Sequence, residues 1–138
     1  MKILSLVLAV AISSIAVSAM AANPADIVFQ CNTKNNKVIQ IVDNNNGTAT
    51  YTFGGTGKPE KTITEAYDKT DATTGKAGRV LDFTAGDYTY SVSIGLGAYD
   101  KVTDGNVMVQ KGTKTLATIK CTGGYIAKGD HFWSAVNN

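Results

Sequence analysis

The residues able to do chemistry are few. His131 is the one histidine, near the C-terminal end, which leaves nucleophilic or metal mechanisms built on imidazole little to work with. Asp130, His131 and Ser134 are close in sequence, but a triad needs three side chains facing one another, and neighbours on one short segment would have to fold back to do so. Glu60 and Glu65 are the two glutamates. Most of the nine aspartates fall in turn-like contexts, where a short carboxylate bonds its own backbone. Neither Asp68 with Asp71 nor Asp100 with Asp104 has the dense alternation of a calcium loop. The glycines at 54, 55 and 57 lack the strand-then-helix setting of a phosphate loop, and Asn46-Gly47-Thr48 reads as a turn. The expectation is a protein that is not an enzyme and has no metal site and no cofactor.

Two cysteines remain. Cys31 and Cys121 lie near opposite ends of the chain, and what an even pair does depends on the compartment. The N-terminal stretch answers that. Lys2 is followed by an apolar run over residues 3–17 and small residues at Ala19 and Ala21, the pattern of a secretory signal peptide cleaved after Ala21. No cysteine follows the cleavage point, so a lipid anchor is not implied. The expectation is a periplasmic or secreted domain over residues 22–138 with one Cys31–Cys121 disulfide. In the chain-entropy view, closing so long a loop stabilises the fold by about 4 to 5 kcal/mol.

With Lys2 set aside, 12 basic residues stand against 11 acidic ones and no segment gathers either sign. Nothing here favours nucleic acid or a membrane surface as partner.

The elements that must position any site are strands. Over residues 37–54, KVIQIVDNNNGTATYTFG, Ile39 and Ile41 alternate with Val38, Gln40 and Val42, and Ala49, Tyr51 and Phe53 alternate with threonines. The cluster from Asp43 to Gly47 between them tolerates a left-handed backbone, so the stretch predicts a β-hairpin. Further strands are predicted over 26–32, 79–84, 88–96, 106–110 and 115–121, with a short edge strand over 61–65. Tyr88, Tyr90, Val92, Ile94 and Leu96 share one face. With no helical period, the chain reads as all-β: a single antiparallel seven- to eight-stranded barrel or sandwich, its first and last strands joined by the disulfide, with a tail over 122–138.

Loops then carry whatever binding there is. Residues 66–78 have no period and offer Tyr67, Lys69 and Lys76; the loop after residue 96 offers Tyr99 and Lys101. The tail holds Phe132 and Trp133, which either plug one end of the barrel or form an exposed aromatic patch of the kind enriched at interface hot spots. Tyr67, Lys69, Lys76, Tyr99, Lys101 and Trp133 are the candidate partner-binding residues.

A small exported β domain with the start FQCNTK and the end IKC resembles the periplasmic and membrane-bound inhibitors of C-type lysozyme. That resemblance implies an eight-stranded antiparallel barrel whose loop side chains enter an acidic enzyme cleft. Gly123-Gly124-Tyr125 and Phe132-Trp133 follow Cys121 here, whereas the family's corresponding segments precede its final cysteine. No residue role is therefore carried over. The function expected is a non-catalytic protein binder, most concretely an inhibitor or immunity protein against a cell-wall hydrolase or periplasmic toxin, acting as a monomer or weak dimer. A small-ligand barrel and a surface adhesin or structural subunit are the alternatives.

Overall fold

A computed structural model describes residues 27–66, 71–75, 78–129 and 132–133. The chain is all-β, with every strand antiparallel to its neighbours. In chain order the strands are β1 (Ile27–Thr33), β2 (Lys37–Asp43), β3 (Thr48–Gly55), β4 (Lys58–Ala66), β5 (Asp71–Gly75), β6 (Gly78–Ala85), β7 (Tyr88–Leu96), β8 (Val102–Lys111) and β9 (Lys114–Ala127). They pair in the order β4-β3-β2-β1-β9-β8-β7-β6-β5. The two ends of that order are consecutive in sequence. Because β4 pairs with β3 and β5 pairs with β6, both in the same direction along the chain, they act as two halves of one strand position. The result is a nearly closed eight-stranded barrel, fastened at its seam by Glu65, whose carboxylate accepts from the Thr84 backbone N–H at 2.8 Å and from the Thr84 hydroxyl.

Period-two patterning fills the inside. Phe29, Cys31, Ile39, Ile41, Ala49, Tyr51, Leu81, Phe83, Val92 and Val107 are fully buried and belong to one core. The β2–β3 turn closes as its composition requires. The Asn45 backbone N–H donates to Asp43 Oδ1 at 2.9 Å, and Asn45 and Gly47 have φ of 56° and 82°.

Cys31 and Cys121 are bonded, with Cα atoms 5.7 Å apart. Cys121 does not end its strand, where the predicted span of 115–121 places it. β9 continues six residues past Cys121 to Ala127 and pairs with β1. Residues 122–127 are therefore wall, not tail. Gly123 and Gly124, at φ 144° and 63°, carry the strand through two register shifts in that ladder. The expected edge strand over 61–65 is a full strand, β4, with Pro59 near its start beside a register shift at Phe53/Gly54. Residues 66–78, read as one loop, contain β5.

Candidate functional site

The β7–β8 connection and the β8–β9 turn lie at opposite ends of β8, so the barrel has two distinct rims. At the first, residues 97–101 form a closed loop. The Gly97 N–H donates to the Lys101 carbonyl at 2.8 Å, and the Lys101 N–H donates to the Ala98 carbonyl at 3.3 Å. Tyr99 stands at its tip, 103 % exposed, with φ 58° and ψ 32°. Four described non-glycine residues have positive φ, and the other three are asparagines. Asparagine visits this region readily, whereas tyrosine gains nothing locally from doing so. The fold thus holds a bulky aromatic in an unfavourable backbone state so that it projects into solvent, the combination found where side chains are presented to a partner. Exposed Lys101 follows it, beside a shallow recess of about 350 Å³ lined by Lys101, Val102, Tyr125 and Ala127.

The same end of the barrel is plugged. Phe132 and Trp133 are 1 % and 4 % exposed, their rings edge to face at 5.1 Å. The Trp133 backbone N–H donates to the Gly129 carbonyl at 3.0 Å and Nε1 to the Lys128 carbonyl at 3.2 Å. Gly129 permits the approach: at φ 88°, a Cβ there would sit 2.8 Å from Val28 Cγ1. Trp133, expected among the contact residues, is therefore core, because burying the indole removes a large apolar surface from water while the carbonyl of Lys128 satisfies its one donor.

The second rim is basic. Lys37 lies over the Phe53 ring at 5.6 Å, Lys61 over Tyr90 at 5.5 Å and Lys111 over Tyr88 at 5.7 Å. Lys37 also pairs with Glu60 at 2.8 Å. Beside them opens a cleft of about 270 Å³ whose lining includes Lys34, Lys37, Phe53, Thr118, Ile119 and Lys120. The sequence gives no warning of this rim, since its lysines come from four separate segments that only the strand register brings together. What is local is that Lys34 and Lys37 flank the β1–β2 connection and Lys111 and Lys114 the β8–β9 turn; that these share a rim, and that Lys120 in mid-β9 joins them, is not.

Of the candidate contact residues, Tyr99 and Lys101 are exposed on the same loop, Trp133 is buried, and Tyr67, Lys69 and Lys76 lie outside the described residues, as do Asp130, His131 and Ser134. Among the described residues no three His, Cys, Asp or Glu side chains are grouped to hold a metal ion, and no helix is long and apolar enough to cross a membrane. Inside the barrel, Tyr51 packs on Phe83 and Tyr90 at 5.7 and 5.6 Å, and its hydroxyl has no partner among the described residues. Burial, reinforced by neighbouring Tyr90, pushes the Tyr51 phenol well above its ordinary pKa. No family model, curated protein or solved structure matches the chain.

Proposed function

We propose that this chain is an exported, non-catalytic protein-binding domain that presents Tyr99 and Lys101 to the acidic cleft of a cell-wall hydrolase or a periplasmic toxin. The observation that carries the reading is Tyr99: fully exposed, at positive φ, on a five-residue loop tied to itself by two backbone hydrogen bonds. A rigid tip loses little entropy on binding, and an aromatic beside a cation offers apolar area together with a donor for carboxylates. The signal-peptide pattern and the disulfide support an oxidising compartment. The alternative of a small-ligand barrel is disfavoured by an interior occupied by Phe29, Tyr51, Phe83 and their neighbours.

The test is retention of lysozymes and of periplasmic proteins from the source on immobilised oxidised protein, followed by inhibition of peptidoglycan hydrolysis by whatever is retained. Stoichiometric capture with inhibition that Tyr99→Ala or Lys101→Ala weakens at least about tenfold is expected, as for an interface hot spot. If no hydrolase or toxin is retained, or if both variants inhibit as well as the parent, the reading is wrong.

A further inference from the structure

Over part of its length β9 has a described strand beside it on one side only. β8 pairs with it along residues 114–120, through Lys111↔Lys114 to Asn106↔Lys120. On the other side β1 reaches only to Thr33↔Cys121, where the chain leaves the ladder through Lys34–Asn36, a turn that stays near β9 but takes none of its backbone hydrogen bonds. Residues 117–120 therefore offer alternate backbone N–H and C=O groups that no described strand takes up. On the side of the turn this edge is bounded by Leu116, which stands unpaired between Gln110↔Thr115 and Val109↔Ala117 as a bulge, and which is 47 % exposed. On the other it is bounded by the disulfide. The open length is about one short strand, and barrels of this kind do not ordinarily leave such an edge bare.

The edge faces the basic cleft. Its floor is made by Phe53 and Ile119, both half-buried, and its rim by Lys34, Lys37 and Lys120. Lys37 is satisfied by Glu60, whereas Lys34 and Lys120 are exposed and hold no carboxylate among the described residues. An occupant must therefore supply three things: an extended backbone for the edge, an apolar side chain for the floor, and carboxylates for the rim. Because side chains alternate along a strand, one acidic extended segment supplies all three.

We infer that residues 117–120 of β9 form a docking edge for an extended acidic segment of a partner protein, which adds beside β9 in line with the end of β1. Backbone pairing gives the addition its register, and Lys34 and Lys120 select the acidic sequence. This surface lies at the opposite rim from Tyr99 and rests on neither Tyr99 nor the hydrolase reading.

The probe is a display library of random octapeptides selected on the oxidised protein. Peptides alternating acidic with β-branched or aromatic residues are expected to be enriched. The enriched sequence, made synthetically, should bind with an affinity that falls with salt, and should slow amide exchange within residues 117–120. The paired change Lys34→Glu with Lys120→Glu, both exposed and thus compatible with folding, should weaken it about tenfold or more, while Tyr99→Ala leaves it unchanged. The inference is overturned if selection enriches no acidic pattern, if methylating alternate peptide amides leaves binding intact, or if sedimentation shows the same edge occupied by a second copy of this chain.

Discussion

The Arg79 guanidinium carbon lies 4.9 Å from the centre of the Trp133 ring, a strand residue of the barrel wall set against the plug at its end. Arg79 shares its face of β6 with Leu81 and Phe83, which are fully buried, so at this level the wall turns a cation inward and the indole receives it. Trp133→Ala should cost about 3 to 5 kcal/mol, and Arg79→Ala about 1 kcal/mol, with Arg79→Lys nearer the parent. Urea denaturation reads both, using circular dichroism for the Trp133 variant and the fluorescence of this one tryptophan for the Arg79 variants. An unchanged midpoint for Trp133→Ala would mean that the plug is not part of the cooperative core.

The disulfide closes 90 residues of sequence and sits against Gly105 of β8, where a Cβ would lie 2.9 Å from Cys121 Sγ and 3.1 Å from Phe29 Cζ. Paired Cys31→Ser and Cys121→Ser changes should lower stability by about 4 to 5 kcal/mol if the loop-entropy term holds. Gly105→Ala should destabilise the oxidised protein by about 1 to 3 kcal/mol, because the added methyl meets a bonded sulfur and a packed ring. In the serine pair the same methyl faces a freer neighbour, so its penalty should shrink. A double-mutant cycle measured by denaturation would reveal whether it does.

How far the sequence could be read depended on where the information was local. The hairpin over residues 37–54 was legible because alternation and the Asp43 to Gly47 turn agree, and Ile39, Ile41, Ala49 and Tyr51 are indeed buried. The continuation of β9 was not, since Gly123 and Gly124 look like a break and only pairing with β1 carries the strand on through them. β5 was missed for the same reason: residues 71–75 have no apolar alternation, and the ladder with β6 supplies their order. That Tyr99 and Lys101 are exposed on one loop was legible because it is a local property of the stretch after residue 96. The basic rim was invisible because Lys34, Lys37 and Lys120 meet through register, a long-range property.

Tyr51 buries a hydroxyl that has no partner among the described residues, so removing it relieves a desolvation penalty without breaking a bond. Tyr51→Phe should leave stability unchanged or raise it by up to about 1 kcal/mol. The pH dependence has a definite sign. The folded-state pKa of Tyr51 is raised above that of an unfolded tyrosine, near 10. Its contribution is therefore fully present below about pH 10 and is lost as pH rises above that, where the unfolded chain ionises first. Thermal melts between pH 8 and about pH 11 should fall more steeply for the parent than for Tyr51→Phe. Parallel curves would mean that another group controls alkaline unfolding.

At the barrel seam, Glu65 takes both the backbone N–H and the hydroxyl of Thr84, joining β4 to β6 where the strands exchange no described ladder. Glu65→Ala should cost about 1 to 3 kcal/mol, since it orphans the Thr84 N–H as well as removing a charged acceptor. Glu65→Gln, which keeps an acceptor, should cost less. Amide exchange locates the effect: the Thr84 N–H should lose protection in the alanine variant while the amides of Phe29 and Cys31 in β1, across the barrel from the seam, keep theirs. Uniform loss of protection would show that the seam is not an independent opening.

Tyr99 allows structure and binding to be separated at one position. Its φ of 58° costs an L-residue about 1 to 2 kcal/mol, a strain that glycine does not share. Since the side chain is fully exposed, its removal sacrifices no packing. Glycine also gains freedom in the unfolded chain, which offsets part of that relief. Tyr99→Gly should therefore match the parent or exceed it by up to about 1 kcal/mol in denaturation, whereas an ordinary loop substitution to glycine destabilises. Under the proposed function the same variant should lose hydrolase or toxin binding as completely as Tyr99→Ala. A stable variant that no longer binds would mean the strain is kept for the partner's sake. One that is stable and still binds would place the contact elsewhere on the molecule. One that unfolds more easily would assign Tyr99 a packing role that its exposure contradicts.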